Sequence, residues 1–423
     1  MKALFVHQYL GAIGGAETDI LLGANSLRQR GHSVALLYLS RTGRAEDAWQ
    51  TAFSECFPVG EADAALKRYA PDLIYFHSLP DLGILEKLLN SGVPVVRRVH
   101  DHRMYCMRGA KFNYFTRAVC SRPASLHCVF PCLGFLGRNP DGNLPLKWVS
   151  YAAKRKEIGL NQKCARLVVY SDYQKGELIR NGFEPEKIEV HIPVHNSGEE
   201  KSPSSFSERN LVLFVGQVIR GKGVDLLLRA LAKVRVPFEA SILGDGNHRP
   251  YCERLSAQLG LQDRVRFHGF VPSGELKNFY QDASLLAVSS VWPEPFGLVG
   301  QEAMFYGLPV VGFDAGGIRE WLLDGENGFL VGWKDIDGLA LRIEQLLRDK
   351  DLGRRLGARG RELVSQQQAI SQQDCPVEKL FLRVMRESRP PAQNHYIALK
   401  QTPPVYETQR HRPAAVAPLR DSP

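Results

Sequence analysis

No window of the 423-residue chain is apolar for long enough to cross a membrane. Runs such as LVLFV (211–215) and LVVY (167–170) fall far short of the roughly 20 residues that a spanning helix needs. The N-terminus, MKALFVHQYL, holds one lysine and an apolar run that His7 interrupts. That pattern suits a first strand rather than a signal peptide and points to the cytoplasm. Eight cysteines are too few to staple a chain of this length, which excludes a disulfide scaffold. Neither zinc-finger spacing nor an RNA-binding type of aromatic string accompanies the basic residues, so no nucleic acid partner is expected. The G-x-G-x-x-G fingerprint is missing too; GAIGGAE (11–17) is a poor start for a dinucleotide-dependent dehydrogenase.

What is present is globular. Hydrophobic residues make up 44%, and the length favours two or three domains over one. Charge is uneven. Residues 1–198 carry 25 Lys+Arg against 18 Asp+Glu, residues 199–387 carry 24 against 25, and the last 36 carry 5 against 2. From Arg97 to Arg122 seven basic residues meet one acid, Asp101. A basic first half suits an anionic partner: a lipid headgroup, a lipid-linked phosphate or a membrane surface. A solvated basic face accounts for it equally well.

Short apolar runs alternate with helix-like text. ALFVHQ (3–8), SVALLYL (33–39), LIYFHS (73–78), VPVVRRVH (93–100), RLVVYSD (166–172) and KIEVHI (187–192) read as strands. Gly14, Gly15 and Ala16 open a helix that runs to about Arg30. After the Ser-rich NSGEEKSPSSFSERN (196–210) the alternation restarts with LVLFVG (211–216), FEASILGDG (238–246), VRFHGFV (265–271), LLAVSS (285–290), LPVVGFD (308–314) and NGFLV (327–331). Such alternation predicts parallel sheets covered by helices on both faces. The expected organisation is an α/β protein with two doubly wound, Rossmann-like domains facing a central cleft. The first domain is 1–198, the linker 199–210 and the second domain 211–365. A helix at 366–387 returns to the first domain, and a Pro-rich disordered tail fills 388–423. Open α/β sheets bind ligands beyond the carboxyl ends of their strands, so the chemistry is expected just after strands.

The stretch WPEPFGLVGQEAMFYGLPVV (292–311) carries the clearest chemistry. Glu294 follows the strand LLAVSS. The amides of Phe296, Gly297 and Leu298 open a helix, where free N–H groups and the dipole favour an anion. Glu302 lies farther along that helix. A carboxylate there can take two hydrogen bonds from a diol, as acids do from a ribose. A sugar at Glu294, a phosphate at the amides and a ribose at Glu302 together describe a nucleotide sugar. Acids that merely favour the helix dipole would explain one glutamate but not the Pro-Phe-Gly turn.

EPFGLVGQEAMFYGLPVVGFDAGGIRE (294–320) resembles the signature of family 4 of the retaining glycosyltransferases, with its E-x7-E pair, G-x-P-V-V strand and Gly-Gly turn. The resemblance also takes in GGAE (14–17), RGH (30–32), the His-Asp pair at 100–101, GQVIRGKGVDLLLRAL (216–231), GDG (244–246) and HGFV (268–271), and reaches about residue 387. It implies the GT-B fold. It also implies sugar transfer from a UDP-, GDP- or ADP-linked donor to a glycan or lipid-linked acceptor, in cell-surface polysaccharide or glycolipid synthesis. By the same resemblance Glu302 holds the ribose, and Glu294 with the Phe296, Gly297 and Leu298 amides holds the sugar. Lys222 neutralises the diphosphate and stabilises the leaving group. Gly14 and Gly15 let the backbone approach closely, Val271 borders the base, and His100 touches the sugar near the reaction centre. Catalysis then requires no cofactor. The family often has Arg where this chain has Gln217, and Arg220 is the candidate replacement. Retention is expected by front-side attack, the leaving phosphate taking the acceptor's proton, with double displacement as the other route. A catalytically silent scaffold and a GT-B-like sugar-nucleotide epimerase are competing readings. A phosphorylase would need the lysine of a pyridoxal phosphate site, for which there is no motif.

Cys106, Cys120, Cys128 and Cys132 follow His100 with 13, 7 and 3 residues between them. They are candidate ligands of a structural zinc; reduced thiols are the alternative. KWVSYAAKRKEIGL (147–160) mixes aromatic and basic residues. It suits contact with an anionic bilayer through Trp148 and Tyr151, or packing between domains.

Overall fold

The computed structural model describes residues 1–11, 14–138, 146–192 and 207–388. The first half contributes β1 (Lys2–Leu10), β2 (Ser33–Arg41), β3 (Glu55–Pro58), β4 (Leu73–Ser78) and β5 (Val95–Arg98). A short antiparallel pair follows, β6 (Leu136–Arg138) with β7 (Leu146–Trp148), then β8 (Arg166–Val169) and β9 (Ile188–Val190). Seven of these form a parallel sheet in the order β3-β2-β1-β4-β5-β8-β9. The second half contributes β10 (Leu211–Val215), β11 (Glu239–Leu243), β12 (Val265–Gly269), β13 (Leu285–Val288), β14 (Val310–Phe313) and β15 (Gly328–Val331). They form a six-stranded parallel sheet in the order β12-β11-β10-β13-β14-β15.

Central strands are continuous apolar runs. Ala3 to Val6 and Val34 to Leu37 are fully buried, as sheets covered on both faces require. The covering helices start at side-chain caps: Asp81 accepts from the amides of Gly83 and Ile84, Ser150 from Ala153, Ser171 from Gln174 and Asp335 from Gly338. β3 escaped the sequence pattern because it is four residues long and ends in Pro58, which an edge strand tolerates. Among the described residues no helix is long and apolar enough to cross a membrane.

Each sheet reverses its strand order once, between β1 and β4 and between β10 and β13. β10 and β13 pair at Val212–Leu285 and Leu213–Leu286 and then part, opening a crevice at their carboxyl ends. Helix Pro376–Ser388 lies against the first sheet's helical layer, where Leu380, Phe381 and Val384 are buried in the same core as Phe5 and Tyr75. Phe381 meets Tyr75 edge-on at 4.9 Å. Burying each such side chain contributes about 2 kcal/mol. The expected linker (199–210) lies mostly, and the expected tail (388–423) almost wholly, outside the described residues.

The insertion after β5 ties the two halves together. Ala110 and Phe112 belong to the second domain's core, with Val218 and Val224. Arg117 pairs with Asp225 at 2.8 Å. Lys111 pairs with Glu177 at 2.9 Å, both deeply buried.

Candidate active site

The second sheet's reversal brings the loops after β10 and β13 side by side. Lys222, at the end of the first loop, places its Nζ 2.6 Å from Glu294 Oε1 in the second. The Ser290 hydroxyl donates to the same oxygen, and the Lys222 ammonium stands 5.1 Å from the centre of the Trp292 ring. Burial alone would push the Glu294 carboxyl up. The Lys222 charge and the hydrogen bonds from Lys222 and Ser290 outweigh it and hold the group below the usual range, so it is a carboxylate at neutral pH. Glu294 is fixed by a bridge to Gly316 and by the Gly317 amide, which donates to its carbonyl at 2.8 Å. Gly316 has φ +67°, and a Cβ there would lie 2.4 Å from the Glu294 carbonyl oxygen. Only glycine fits so close an approach.

Helix Leu298–Phe305 starts at Gly297. Among the described residues none accepts a hydrogen bond from the Phe296, Gly297 or Leu298 amides, which leaves them free for an anion. Deeper on that helix, Glu302 Oε2 accepts a 2.8 Å bond from the Tyr280 hydroxyl. Tyr280 is buried and stacks on Tyr306 at 5.3 Å. Burial and then the Glu302 charge push its phenol well above the ordinary value, so it stays a donor.

The opposite wall comes from the first sheet's reversal. Gly15 faces Leu298 closely: a Cβ on Gly15 would stand 3.2 Å from the leucine Cδ1. The Gly14 amide donates to Glu17 Oε2 at 2.8 Å, and Glu17 Oε1 lies 3.1 Å from His7 Nε2. His100 is the middle of a hydrogen-bonded chain whose direction can be worked out. Asp19 is paired with Arg98 at 3.2 Å, so its carboxylate only accepts. Tyr170 therefore donates to Asp19 (2.9 Å) and accepts from His100 Nδ1–H (2.6 Å). Burial and then the Arg98 charge hold His100 well below its ordinary pKa, so its Nε2 is bare and accepts from His77 Nδ1–H at 3.0 Å. The chain ends at His77 Nε2, which is buried and has no partner among the described residues. Both ring nitrogens of His100 are thus engaged by protein.

The two walls are clasped around the Glu294 loop. His102 Nε2–H donates to the Pro293 carbonyl at 2.8 Å, and the Ser171 hydroxyl donates to that of Pro295. The Glu320 carboxylate accepts the Asp172 and Tyr173 amides at 2.8 and 2.7 Å. Val271 packs at the edge of the core that holds Tyr280 and Phe296. Arg220 is exposed and lines a cavity of about 510 Å³ with Arg117, Asp225, Arg229, His248 and Tyr251; neither Lys222 nor Glu294 belongs to that lining. Tyr280, Ser290, His77, Tyr170 and Asp19 were not singled out from sequence. Only His77 left a signal, being, like His7 and His100, a histidine near the carboxyl end of a strand.

Cys106, Cys120, Cys128 and Cys132 are free thiols. Arg108 donates to both the carbonyl and the sulfur of Cys132, and the Cys120 thiol turns to the Arg122 carbonyl. Among the described residues no three His, Cys, Asp or Glu side chains are grouped to hold a metal ion. Burial first, and then the neighbouring Cys106, Cys132 and Cys120, push the Cys128 thiol up, so the four expected zinc ligands stand near one another, with the Arg108 guanidinium beside Cys132.

Two family profiles match in tandem: Glycosyltransferase Family 4 over residues 13–191 and Glycosyl transferases group 1 over residues 197–363. The chain belongs to glycosyltransferase family 4. An uncharacterized glycosyltransferase of Methanocaldococcus jannaschii is 35% identical over 182 residues, covering 41% of this chain and 45% of that protein. The lipopolysaccharide core biosynthesis glycosyltransferase LpsE of Rhizobium meliloti is 34% identical over 152 residues, covering 36% and 44%. The matches span less than half the length of these curated relatives. HepE of Anabaena, solved with UDP and glucose, shares the fold: the TM-score is 0.68 at 22% identity, over 90% of this chain and 99% of that one. The two facing Rossmann-like domains are the GT-B architecture.

Proposed function

We propose that this protein is a retaining glycosyltransferase that moves a sugar from a nucleotide-diphosphate donor to a glycan or lipid-linked acceptor at the cytoplasmic side of a membrane. The observation that carries this reading is the Lys222–Glu294 pair at the second sheet's reversal, beside the free amides of the helix that also carries Glu302, the carboxylate that Tyr280 holds. Glu302 takes the ribose diol, the Phe296, Gly297 and Leu298 amides and Lys222 take the diphosphate, and Glu294 takes the sugar. Gly14 and Gly15 close the donor from the other wall, and Val271 borders the base. His100 meets the sugar. The acceptor hydroxyl attacks the anomeric carbon from the face that the leaving phosphate departs. The bond from that carbon to the phosphate oxygen breaks, and the acceptor's proton passes to that oxygen. Lys222 stabilises the charge as it develops. HepE was solved with UDP-glucose and LpsE is named for lipopolysaccharide core biosynthesis, so UDP and cell-surface glycans are the first ligands to try.

Calorimetric titration of UDP, GDP and ADP into wild type and Glu302→Ala tests the reading. One nucleotide should bind, and the substitution should weaken it at least tenfold, about 1.4 kcal/mol. Folded protein that binds none of them would overturn the donor site.

A further inference from the structure

Three arginines line the cavity of about 510 Å³ beside the loop after β10. Arg117 comes from the insertion that follows His100, Arg220 from that loop, and Arg229 from helix Val224–Leu231. Among the described residues the lining holds a single acid, Asp225, in the first turn of the same helix. Arg229 follows Asp225 by four residues, the spacing at which opposite charges pair along a helix. Here the acid is already taken: both Asp225 oxygens accept from Arg117 Nη2, at 2.9 and 2.8 Å. Neither Arg220 nor Arg229 forms an ion pair or a side-chain hydrogen bond among the described residues.

The cavity wall is held in place. Asp225 is buried, and the Lys334 ammonium bonds the Arg117 carbonyl at 2.6 Å, so Arg117 is fixed at its backbone and at its guanidinium. Arg117 Nε and His248 Nε2 are buried and have no hydrogen-bond partner among the described residues. His248 reaches Asp225 only at 3.7 Å. Leaving one buried polar group unpaired costs about 1–3 kcal/mol, so two such nitrogens in one lining call for a ligand. Burial, and then the Arg117 and Arg220 charges, hold the His248 imidazole below its ordinary pKa against the pull of Asp225. The uncompensated charge of the arginines therefore reaches the cavity floor.

Charge and shape select the ligand. Three guanidinium groups against one carboxylate leave two positive charges uncompensated. An acidic side chain of a protein partner brings one negative charge. A phosphoryl group brings about 1.5 to 2, with three acceptor oxygens that guanidinium forks fit. Tyr251 stacks on His248 at 4.7 Å and 17° and is still 40% exposed. That sets an aromatic face with a hydroxyl beside the cations, where a sugar ring can lie. The volume is that of a small-molecule site. We infer that this cavity binds a phosphorylated sugar through Arg117, Arg220 and Arg229, with Tyr251 against the ring. The phosphate is not the donor's, since neither Lys222 nor Glu294 lines the cavity. Arg220 thus serves a second anion and does not replace the arginine that Gln217 displaces. Two sources share this chemistry: a phosphate carried by the glycan acceptor, and a free sugar phosphate that regulates transfer. The choice between them rests on the transfer reading; the binding itself does not.

The test is calorimetric titration of the full chain with glucose 6-phosphate, inorganic phosphate and glucose. Glucose 6-phosphate should bind more tightly than inorganic phosphate, and glucose should not bind. Saturating the donor site with its nucleotide should leave that binding unchanged. Arg229→Gln should weaken glucose 6-phosphate at least about tenfold while keeping the melting temperature and the nucleotide affinity. Tyr251→Ala should weaken glucose 6-phosphate but not inorganic phosphate. Both side chains are exposed, so neither change threatens the fold. No binding of either phosphate, equal binding by wild type and Arg229→Gln, or displacement of the sugar phosphate by the nucleotide would overturn the proposal. Adding the sugar donor separates the two sources. Glycosylated glucose 6-phosphate, seen by mass spectrometry, marks an acceptor's phosphate. A changed rate of nucleotide release, with the probe recovered unmodified, marks a regulator. Phosphate binding by a protein that takes no nucleotide would sink the transfer reading and leave this site standing.

Discussion

Tyr280 donates its phenolic proton to Glu302 across 2.8 Å from a fully buried position. One carboxylate oxygen is thereby occupied and the side chain's rotation is fixed, which leaves the other oxygen for the ribose proposed above. A hydrogen bond to a charged group contributes about 1.5–3 kcal/mol. Tyr280→Phe keeps the ring and its stacking on Tyr306. It should weaken nucleotide binding about tenfold with little change in melting temperature. In a Glu302→Ala background the same substitution should have almost no further effect. Additive losses in that double-mutant cycle would mean that Tyr280 acts by another route.

Lys222 and Glu294 balance each other in ligand-free protein. Removing the lysine leaves a buried carboxylate with only hydrogen bonds to offset burial. Breaking such a pair costs about 3–5 kcal/mol when fully buried, and about 2 here because Lys222 is partly exposed. The depressed Glu294 pKa contributes stability above the unfolded carboxylate value, about 4.3, and loses it as pH falls through the folded value. Urea titrations at pH 7 and pH 4 should show Lys222→Ala much less stable than wild type at pH 7 and nearer to it at pH 4. Adding Glu294→Gln should recover stability at pH 7 but not activity. A Lys222→Ala protein as stable as wild type at pH 7 would contradict the balance.

His77 and His100 predict acid sensitivity. For both, burial comes first among the causes that hold the ring well below 6.5. His77 also feels His100 and His7, and His100 feels Arg98. In the unfolded chain each takes up a proton as pH falls below about 6.5, and in the folded chain it does not. Stability should therefore be fully present above that pH and fall below it, by up to about 1.4 kcal/mol per pH unit for each group. His77→Phe, packed among Phe5 and Tyr75, should flatten the change between pH 7.5 and 5.5 in denaturant titrations. An unchanged slope would show that His77 is not protonation-sensitive.

The two-sheet architecture could be read from the sequence because buried parallel strands are continuous apolar words separated by glycine turns. The residues just after those words, Lys222, Glu294 and His100, could be read for the same reason. Their partners could not. Tyr280 ends an ordinary amphipathic helix, and nothing local separates it from a core tyrosine. Lys222 meets Glu294 only because the sheet reverses its order between β10 and β13, a fact of topology rather than of either stretch. The insertion after His100 has no period to read, so the burial of Phe112 in the other domain and the arginine beside Cys132 were both invisible.

Gly316 and Gly307 separate backbone strain from site geometry. Both have positive φ, +67° and +76°, so alanine at either costs about 1–2 kcal/mol. At Gly307 a Cβ meets nothing within 4 Å, whereas at Gly316 it would press on the Glu294 carbonyl oxygen at 2.4 Å and amide nitrogen at 2.7 Å. Gly307→Ala should therefore lower stability alone and leave kcat near wild type. Gly316→Ala must move Glu294, and with it the contact to Lys222. A displacement of about 1 Å at a reacting group can cost on the order of a hundredfold in rate. Nucleotide affinity should change far less, because Glu302 is held by Tyr280 from another helix. Steady-state kinetics beside calorimetry would read this split. A Gly316→Ala protein with kcat near wild type would show that transfer does not depend on the position of Glu294.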